Sequence, residues 1–279
     1  MFRNGKIAIL GGGLLGGSLA LALQNGEVAR VWCRREASVQ DGKELGLDAS
    51  SSLPYVVEDA DLVILCVPVG AMKPLLQDAI DAGLPRKALI TDVGSVKRMP
   101  HEALRAIIET NDLSFIGSHP MAGGENGGIQ HAKANLFQNA ACILTNDFFV
   151  NSDIATELEA FWKNLGCRTA WMSADMHDTL VARVSHFPHL LAALGIKVAL
   201  PDLAFAQHAG GGLRDTTRVA GGNPNMWLEI LSENRDAILP ALDEAMLELS
   251  KLRDFLQNQR QTELLDWLRE AKQLRDGLQ

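Results

Sequence analysis

Cysteine is scarce in this 279-residue chain. Its four cysteines, Cys33, Cys66, Cys142 and Cys167, are scattered and form no C-x-x-C pair. That excludes a disulfide framework and a clustered zinc site, and it suits a reducing compartment, so the expected location is the cytoplasm. Positive charge is also in short supply. The chain has 26 Lys and Arg against 34 Asp and Glu, a net charge of −8. Nucleic acid and anionic membrane are poor partners for such a surface, and any anionic ligand must be met by local cations. The N-terminus, MFRNGKIAIL, lacks the long apolar core and cleavage site of a signal peptide. The most apolar later stretch, Val181–Ala206, is broken by Arg183, His186, Pro188, His189, Lys197, Pro201 and Asp202, so no membrane span is expected. Internal repeats and low-complexity tails are absent as well.

What is present is ordinary globular material, 47% hydrophobic and 22% charged, long enough for two domains. Short apolar runs at Lys6–Leu10, Val28–Cys33, Leu62–Val67, Ala88–Asp92, Phe115–Ser118, Ala141–Thr145 and Cys167–Met172 read as strands. Helical spacing separates several of them, as in Asp153–Leu165. Strands alternating with helices predict a parallel sheet with crossovers. From Ser173 onward only helical patterns remain, including Asp178–Leu200, Pro224–Gln257 and Thr262–Gln273. The predicted division is residues 1–172 as an α/β domain and 173–279 as an all-α domain.

The stretch KIAILGGGLLGGSLALAL, Lys6–Leu23, organises the first half. Gly11, Gly13 and Gly16 stand at G-x-G-x-x-G spacing between a predicted strand and a predicted helix. Gly11 suits the tight turn, Gly13 lets a pyrophosphate reach the backbone, and Gly16 lets helix and strand pack closely. The phosphates would meet free N–H groups at the positive end of the helix. This is the mark of a Rossmann-like dinucleotide-binding domain, and Leu14, Leu15, Val67 and Pro68 are placed at the same cofactor edge. The second strand ends in Cys33-Arg34-Arg35-Glu36. A carboxylate is missing where it would repel a 2′-phosphate, and Arg34 and Arg35 stand where they could pair with one. NADP is therefore expected over NAD. In the alternative, Arg34 stacks on adenine and Arg35 merely starts a helix.

Further segments carry a family resemblance. They are Asp92-Val93-Gly94-Ser95-Val96-Lys97, Ser118-His119-Pro120-Met121-Ala122-Gly123-Gly124-Glu125, Ser185-His186-Phe187-Pro188-His189-Leu190, the run Gly211–Ala220 with Arg214 and Arg218, and Asn225-Met226-Trp227. Together with the glycine loop they resemble the prephenate/arogenate dehydrogenase family of tyrosine biosynthesis, over roughly residues 5–260. The resemblance implies oxidative decarboxylation of prephenate to 4-hydroxyphenylpyruvate, or of arogenate to tyrosine, with hydride passing to NAD(P). It implies a stand-alone dehydrogenase, a homodimer formed through the helical domain, and no metal, although His177, Asp178 and His186 invite that question.

The chemistry accounts for the residue types. Oxidation at C4 needs a proton acceptor on the 4-hydroxyl, and histidine, with a pKa of about 6.5, suits it. The resemblance gives that role to His119, with Ser95 beside it holding the histidine, the substrate hydroxyl or the nicotinamide. Ser95 also has a plain alternative as N-cap of a helix over 96–109. The substrate's carboxylates need cations, and arginine offers a bidentate pair. Arg214 and Arg218 would share one face if 213–219 is helical. The resemblance assigns Arg218 to a substrate carboxylate with Arg214 beside it, unless Arg214 pairs with Asp215 or Asp178. It assigns His189 to the side-chain end of the substrate, Glu125 to the pocket mouth and Trp227 to the pocket wall. A rival reading, a β-hydroxyacid dehydrogenase using Lys197 as base, leaves the H-P-M-A-G segment unexplained.

Overall fold

The computed structural model describes residues 5–24, 28–124 and 126–278. The chain opens with β1 (Lys6–Leu10), α1 (Leu14–Leu23), β2 (Val28–Trp32), α2 (Glu36–Glu44), β3 (Asp48–Ser50) and α3 (Leu53–Val57). It continues through β4 (Leu62–Leu65), α4 (Val69–Asp81), β5 (Leu89–Asp92), α5 (Arg98–Thr110) and β6 (Ser114–Phe115). These six strands form one parallel sheet in the order β3-β2-β1-β4-β5-β6. That order is the doubly wound Rossmann arrangement, whose strand order reverses between β1 and β4. The apolar runs are continuous because both faces are covered. On β1, Ile7 and Ile9 join one core with Leu19 and Trp162, while Ala8 and Leu10 join the other with Met72 and Leu76.

The sequence reading of a single parallel sheet needs correction. The strand expected at 115–118 is two strands. The first, β6, closes the large sheet. The second, β7 (Gly117–Pro120), starts a separate sheet with β8 (Ala141–Thr145) and, beyond α6 (Ser152–Asn164), β9 (Arg168–Trp171). There β7 runs antiparallel to β8, and β8 runs parallel to β9. A hydrogen bond from the Ser118 N–H to the Asp92 carboxylate, 3.1 Å, ties the small sheet to the large one.

The rest is helical: α7 (Ala174–Val181), α8 (Phe187–Ala199), α9 (Gly211–Thr217), α10 (Pro224–Glu233), α11 (Arg235–Gln257) and α12 (Gln261–Asp276). A π-turn over Ala182–His186 joins α7 to α8 without interrupting the rod. By length and composition alone the run Ala174–Ala199 is long and apolar enough to cross a membrane. It also carries His177, Asp178, His186 and His189, all buried against the rest of the protein. Two helical readings also change. The long helix expected over 224–257 is broken at Asn234, which ends α10 and starts α11. The helix expected over 213–219 ends at Thr217, and Arg218 begins a 3-10 turn, Arg218–Gly221.

Candidate active site

The glycine loop is built as its spacing demands. The N–H groups of Gly11 and Gly12 both donate to the Trp32 carbonyl at 3.1 Å, which folds the loop over the end of β2. Gly11 has a φ of +131°, and a Cβ there would run into the Cys66 carbonyl. A Cβ on Gly16 would strike the Gly11 carbonyl. At Gly13 a Cβ would meet nothing within 4 Å, so open space lies over the start of α1. That helix has no side-chain cap and no acidic residue in its first turn. Its first N–H groups, including those of Leu14 and Leu15, are left for an anion, so the residues fit a dinucleotide pyrophosphate. Val67 closes the loop on the β4 side, its Cγ1 at 3.0 Å from a Cβ on Gly11, and Pro68 caps α4.

At the far end of β2, Cys33 is buried beneath Gly12, and its thiol pKa is raised by that burial. Arg34 and Arg35 are exposed, and Arg35 is the N-cap of α2. Glu36 accepts a 3.2 Å bond from the Ser51 hydroxyl.

His119 lies within β7 rather than beyond a strand end, and it is 7% exposed. Its Nδ1 is 2.8 Å from Nε2 of His177, whose Nδ1 is 2.7 Å from the Asp178 carboxylate. The two carboxylate oxygens also accept from the Lys97 N–H at 2.7 Å, the Arg98 N–H at 3.0 Å and Arg98 Nε at 3.2 Å. For Asp178, burial alone would raise the pKa, but the bonds from His177, Arg98 and Lys97 outweigh it and hold the carboxyl below its usual range. A carboxylate only accepts, so His177 Nδ1 carries hydrogen and its Nε2 is bare. His119 must then donate from Nδ1, which leaves its own Nε2 as an open lone pair. Burial, reinforced by His177, Lys97 and His186, pushes the His119 pKa well below 6.5, so the ring is neutral with its Nε2 lone pair free.

The floor of this site is a buried polar network. Lys97, fully buried, pairs with Asp92, which also accepts from the Gly94 N–H at 2.8 Å. Ser118 Oγ contacts Thr91 Oγ1 at 2.7 Å and accepts from Trp162 Nε1 at 3.0 Å, which fixes β7 next to His119. After His119 the chain turns back toward the cofactor edge, where a Cβ on Gly124 would lie 3.3 Å from Leu14 Cδ2.

The helical domain supplies the other wall. The rings of His189 and Trp227 stack at 3.5 Å and 9°. A Cβ on Gly222, just beyond the Arg218 turn, would collide with the Trp227 indole. Burial lowers the His189 pKa, and the Val219 backbone offsets part of that. Edge-on to the same indole, 6.1 Å away, stands His186. Its Nδ1 is 3.1 Å from Asn234 Nδ2, which also donates to the Asp178 carbonyl at 2.8 Å.

Two family models match this chain. The one for the prephenate dehydrogenase nucleotide-binding domain covers residues 20–171, and the one for the prephenate dehydrogenase dimerization domain covers 173–270. The chain belongs to the prephenate dehydrogenase family. It is 33% identical to the prephenate dehydrogenase of Bacillus subtilis across 98% of its own length and 76% of the relative's. The structure of Aquifex aeolicus prephenate dehydrogenase in complex with hydroxyphenyl propionate and NAD+ superimposes with a TM-score of 0.88 at 27% identity, covering 98% of each chain. Synechocystis arogenate dehydrogenase gives 0.82 at 30% identity, covering 97% of this chain and 98% of that one.

In this family member the predicted site residues fall into distinct groups. The segment that follows His119 approaches the glycine loop at Gly124, where a Cβ would lie 3.3 Å from Leu14 Cδ2. His189, Trp227 and the turn that begins at Arg218 come together on the helical side. Ser95 is half-buried in the turn after β5. It is not a helix N-cap, because α5 starts at Arg98 with Lys97 at the N-cap position, and Asp178 accepts from the Lys97 and Arg98 N–H groups. Arg214 is exposed on α9, and neither Asp215 nor Asp178 pairs with it among the described residues. Glu125 lies outside the described residues. Lys197, the base of the rival reading, is exposed near the end of α8. No group of three or more potential metal ligands occurs among the described residues. His177, Asp178 and His186 are instead taken up by hydrogen bonds. Missed from the sequence were Arg98, which reaches Asp178 and, at 3.2 Å, Asn234 Oδ1, and Asn234 itself.

Proposed function

We propose that this dehydrogenase converts prephenate to 4-hydroxyphenylpyruvate and CO2. The observation that carries the reading is the chain His119–His177–Asp178, which leaves one imidazole nitrogen of His119 bare in a domain whose glycine loop fits a dinucleotide. Nicotinamide, when bound, supplies the hydride acceptor. His119 Nε2 takes the 4-hydroxyl proton as C4 gives up hydride, and a ring carbonyl forms. Cleavage of the ring carboxylate as CO2 returns its electron pair through the ring to that oxygen, and the ring becomes aromatic. His119 then gives its proton back to the phenol oxygen, so no net proton is released. During the step the imidazolium is stabilised through His177 by the Asp178 charge.

The substrate is a dianion, and it brings the negative charge that a depressed His119 needs in order to protonate. Arg218, at the turn beside His189 and Trp227, is assigned to a carboxylate, with Arg214 beside it and Ser95 toward the reacting oxygen; the family resemblance gives Glu125, outside the described residues, a role in gating. Arogenate remains the second substrate, supported by the 30% identity to an arogenate dehydrogenase. NADP is assigned as the favoured cofactor because Arg34 and Arg35, just beyond β2, are exposed, while the acid that follows them, Glu36, accepts from Ser51. A homodimer is assigned from the apolar surface left open on the helical domain. It includes Val184, Leu191, Leu194 and Val198 on the first rod and Met246, Leu249 and Leu256 on α11. The free cysteines suit the cytosol.

The test is absorbance at 340 nm with purified protein, prephenate or arogenate, and NAD or NADP. The expected result is turnover that is fastest with prephenate and NADP. No turnover in any of the four combinations would overturn the function.

A further inference from the structure

Among the side-chain bonds that join the two halves of the site, one crosses 159 residues of sequence. Glu229 on α10 accepts a 2.9 Å hydrogen bond from the Gly70 N–H in the first turn of α4. That turn has no cap of its own. Its N-cap is Pro68, without a side-chain bond, and its first turn holds no acid. Glu229 thus brings a carboxylate from the helical domain to the positive end of a helix in the dinucleotide domain.

Both ends of this bond lead into the site. On the α4 side, Val67 lies against Gly11 of the cofactor loop, and Val69 Cγ2 and Met72 Cε stand 3.2 Å from a Cβ built on Gly94, next to Ser95. On the α10 side, Trp227, two residues earlier, stacks on His189. One helical turn onward, Glu233 has a buried oxygen with no partner, and burial, followed by Glu229 and Asp178, pushes its pKa up to about 7. It is Glu229, not Glu233, whose side chain reaches α4.

We infer that Glu229 is a positioning residue that couples substrate binding beneath Trp227 to cofactor binding at the glycine loop. A ligand that seats Trp227 fixes α10, α10 fixes the first turn of α4, and α4 holds Val67 against Gly11. By reciprocity, cofactor must tighten substrate by the same factor. The inference rests on the proposed function, because it needs the cyclohexadienyl substrate, or its aromatic product, at Trp227.

The experiment measures the dissociation constant of NAD(P)+ by calorimetry, alone and with saturating hydroxyphenyl propionate, for the parent, Glu229→Ala and Glu229→Gln. The parent should bind cofactor about 5- to 20-fold more tightly in the presence of the aromatic acid. In Glu229→Ala that factor should fall below about twofold, while affinity for either ligand alone changes little; a purely structural role would weaken both. Glu229→Gln keeps the acceptor without the charge and should lie between. Thermal melts check that the variants are folded. A Glu229→Ala protein that keeps the parent's coupling overturns the inference, as does a parent that binds both ligands with no coupling. A parent that neither binds hydroxyphenyl propionate nor turns over prephenate overturns the proposed function first, and the inference with it.

Discussion

Replacing Asp178 by asparagine tests the proton path at its far end. The carboxylate is 1% exposed in its side chain and accepts from four N–H groups: His177 Nδ1, the Lys97 and Arg98 amides, and Arg98 Nε. Asparagine keeps one acceptor and turns the other oxygen into a donor. If its amide nitrogen faces Arg98, two donors and a cation meet a donor. If it faces His177, then His177 must accept at Nδ1 and donate from Nε2. His119 is then forced to accept at Nδ1 and carry its hydrogen on Nε2, where the substrate hydroxyl needs a lone pair. The guanidinium favours the second arrangement.

Loss of general-base function is worth roughly 10²–10⁴-fold, and kcat should fall by that factor. Two weakened charge-assisted bonds at about 1.5–3 kcal/mol each suggest a stability loss of about 3–6 kcal/mol. At about 2–4 °C per kcal/mol, Tm should drop by about 6–24 °C. Steady-state rates at 340 nm at 25 °C, on protein shown by its melt to be folded, measure the effect. His177→Gln offers an amide oxygen to the same His119 hydrogen and should lose less than Asp178→Asn. A folded Asp178→Asn enzyme with kcat within about threefold of the parent would refute the tautomer argument.

Arg218→Ala should mainly raise the prephenate KM, by roughly 10–150-fold, the value of a charge-assisted bond of about 1.5–3 kcal/mol; an unchanged KM removes the assignment. Changing both Arg34 and Arg35 to Ala should weaken NADP and spare NAD, with a difference that shrinks in high salt because both side chains are exposed; a parent with higher kcat/KM for NAD at low salt contradicts it. Glu233 holds its proton up to about 7 against an ordinary 4.5, so the unfolded chain sheds that proton first and stability falls as pH rises between those values. Glu233→Gln should therefore stabilise the protein at pH 8 by about 1–2 kcal/mol, allowing for its partial exposure, and leave it unchanged at pH 4.5; equal shifts in Tm at both pH values would show that desolvation is not the cause.

The glycine loop was legible because its constraints are local. Gly11 and Gly16 face carbonyls within six residues of each other or on the adjoining strand, and the spacing alone encodes that. The helical second domain was legible from periodicity. The second sheet was not, since β6 and β7 are separated by a single residue, Ile116, and nothing in the run 114–120 shows that the two halves pair with different partners. The His119–His177 bond spans 58 residues and joins β7 to α7, so the sequence, which raises a metal at His177, Asp178 and His186 only to reject it, carries no sign of it. Asn234 looked like one more residue of a long helix, because its amide bonds to Arg98, Asp178 and His186 are all long-range. The plain alternative for Ser95, an N-cap, fails because the turn 93–97 spends two residues more than expected before α5 begins.

The most direct test of the central claim, that His119 Nε2 accepts the 4-hydroxyl proton, is the turnover of His119→Asn. The asparagine amide can still donate toward His177 but offers no base to the substrate. The expected result is a kcat lower by roughly 10²–10⁴-fold, with cofactor affinity changed by less than about threefold. A folded His119→Asn protein that oxidises prephenate at a rate near the parent's would contradict it.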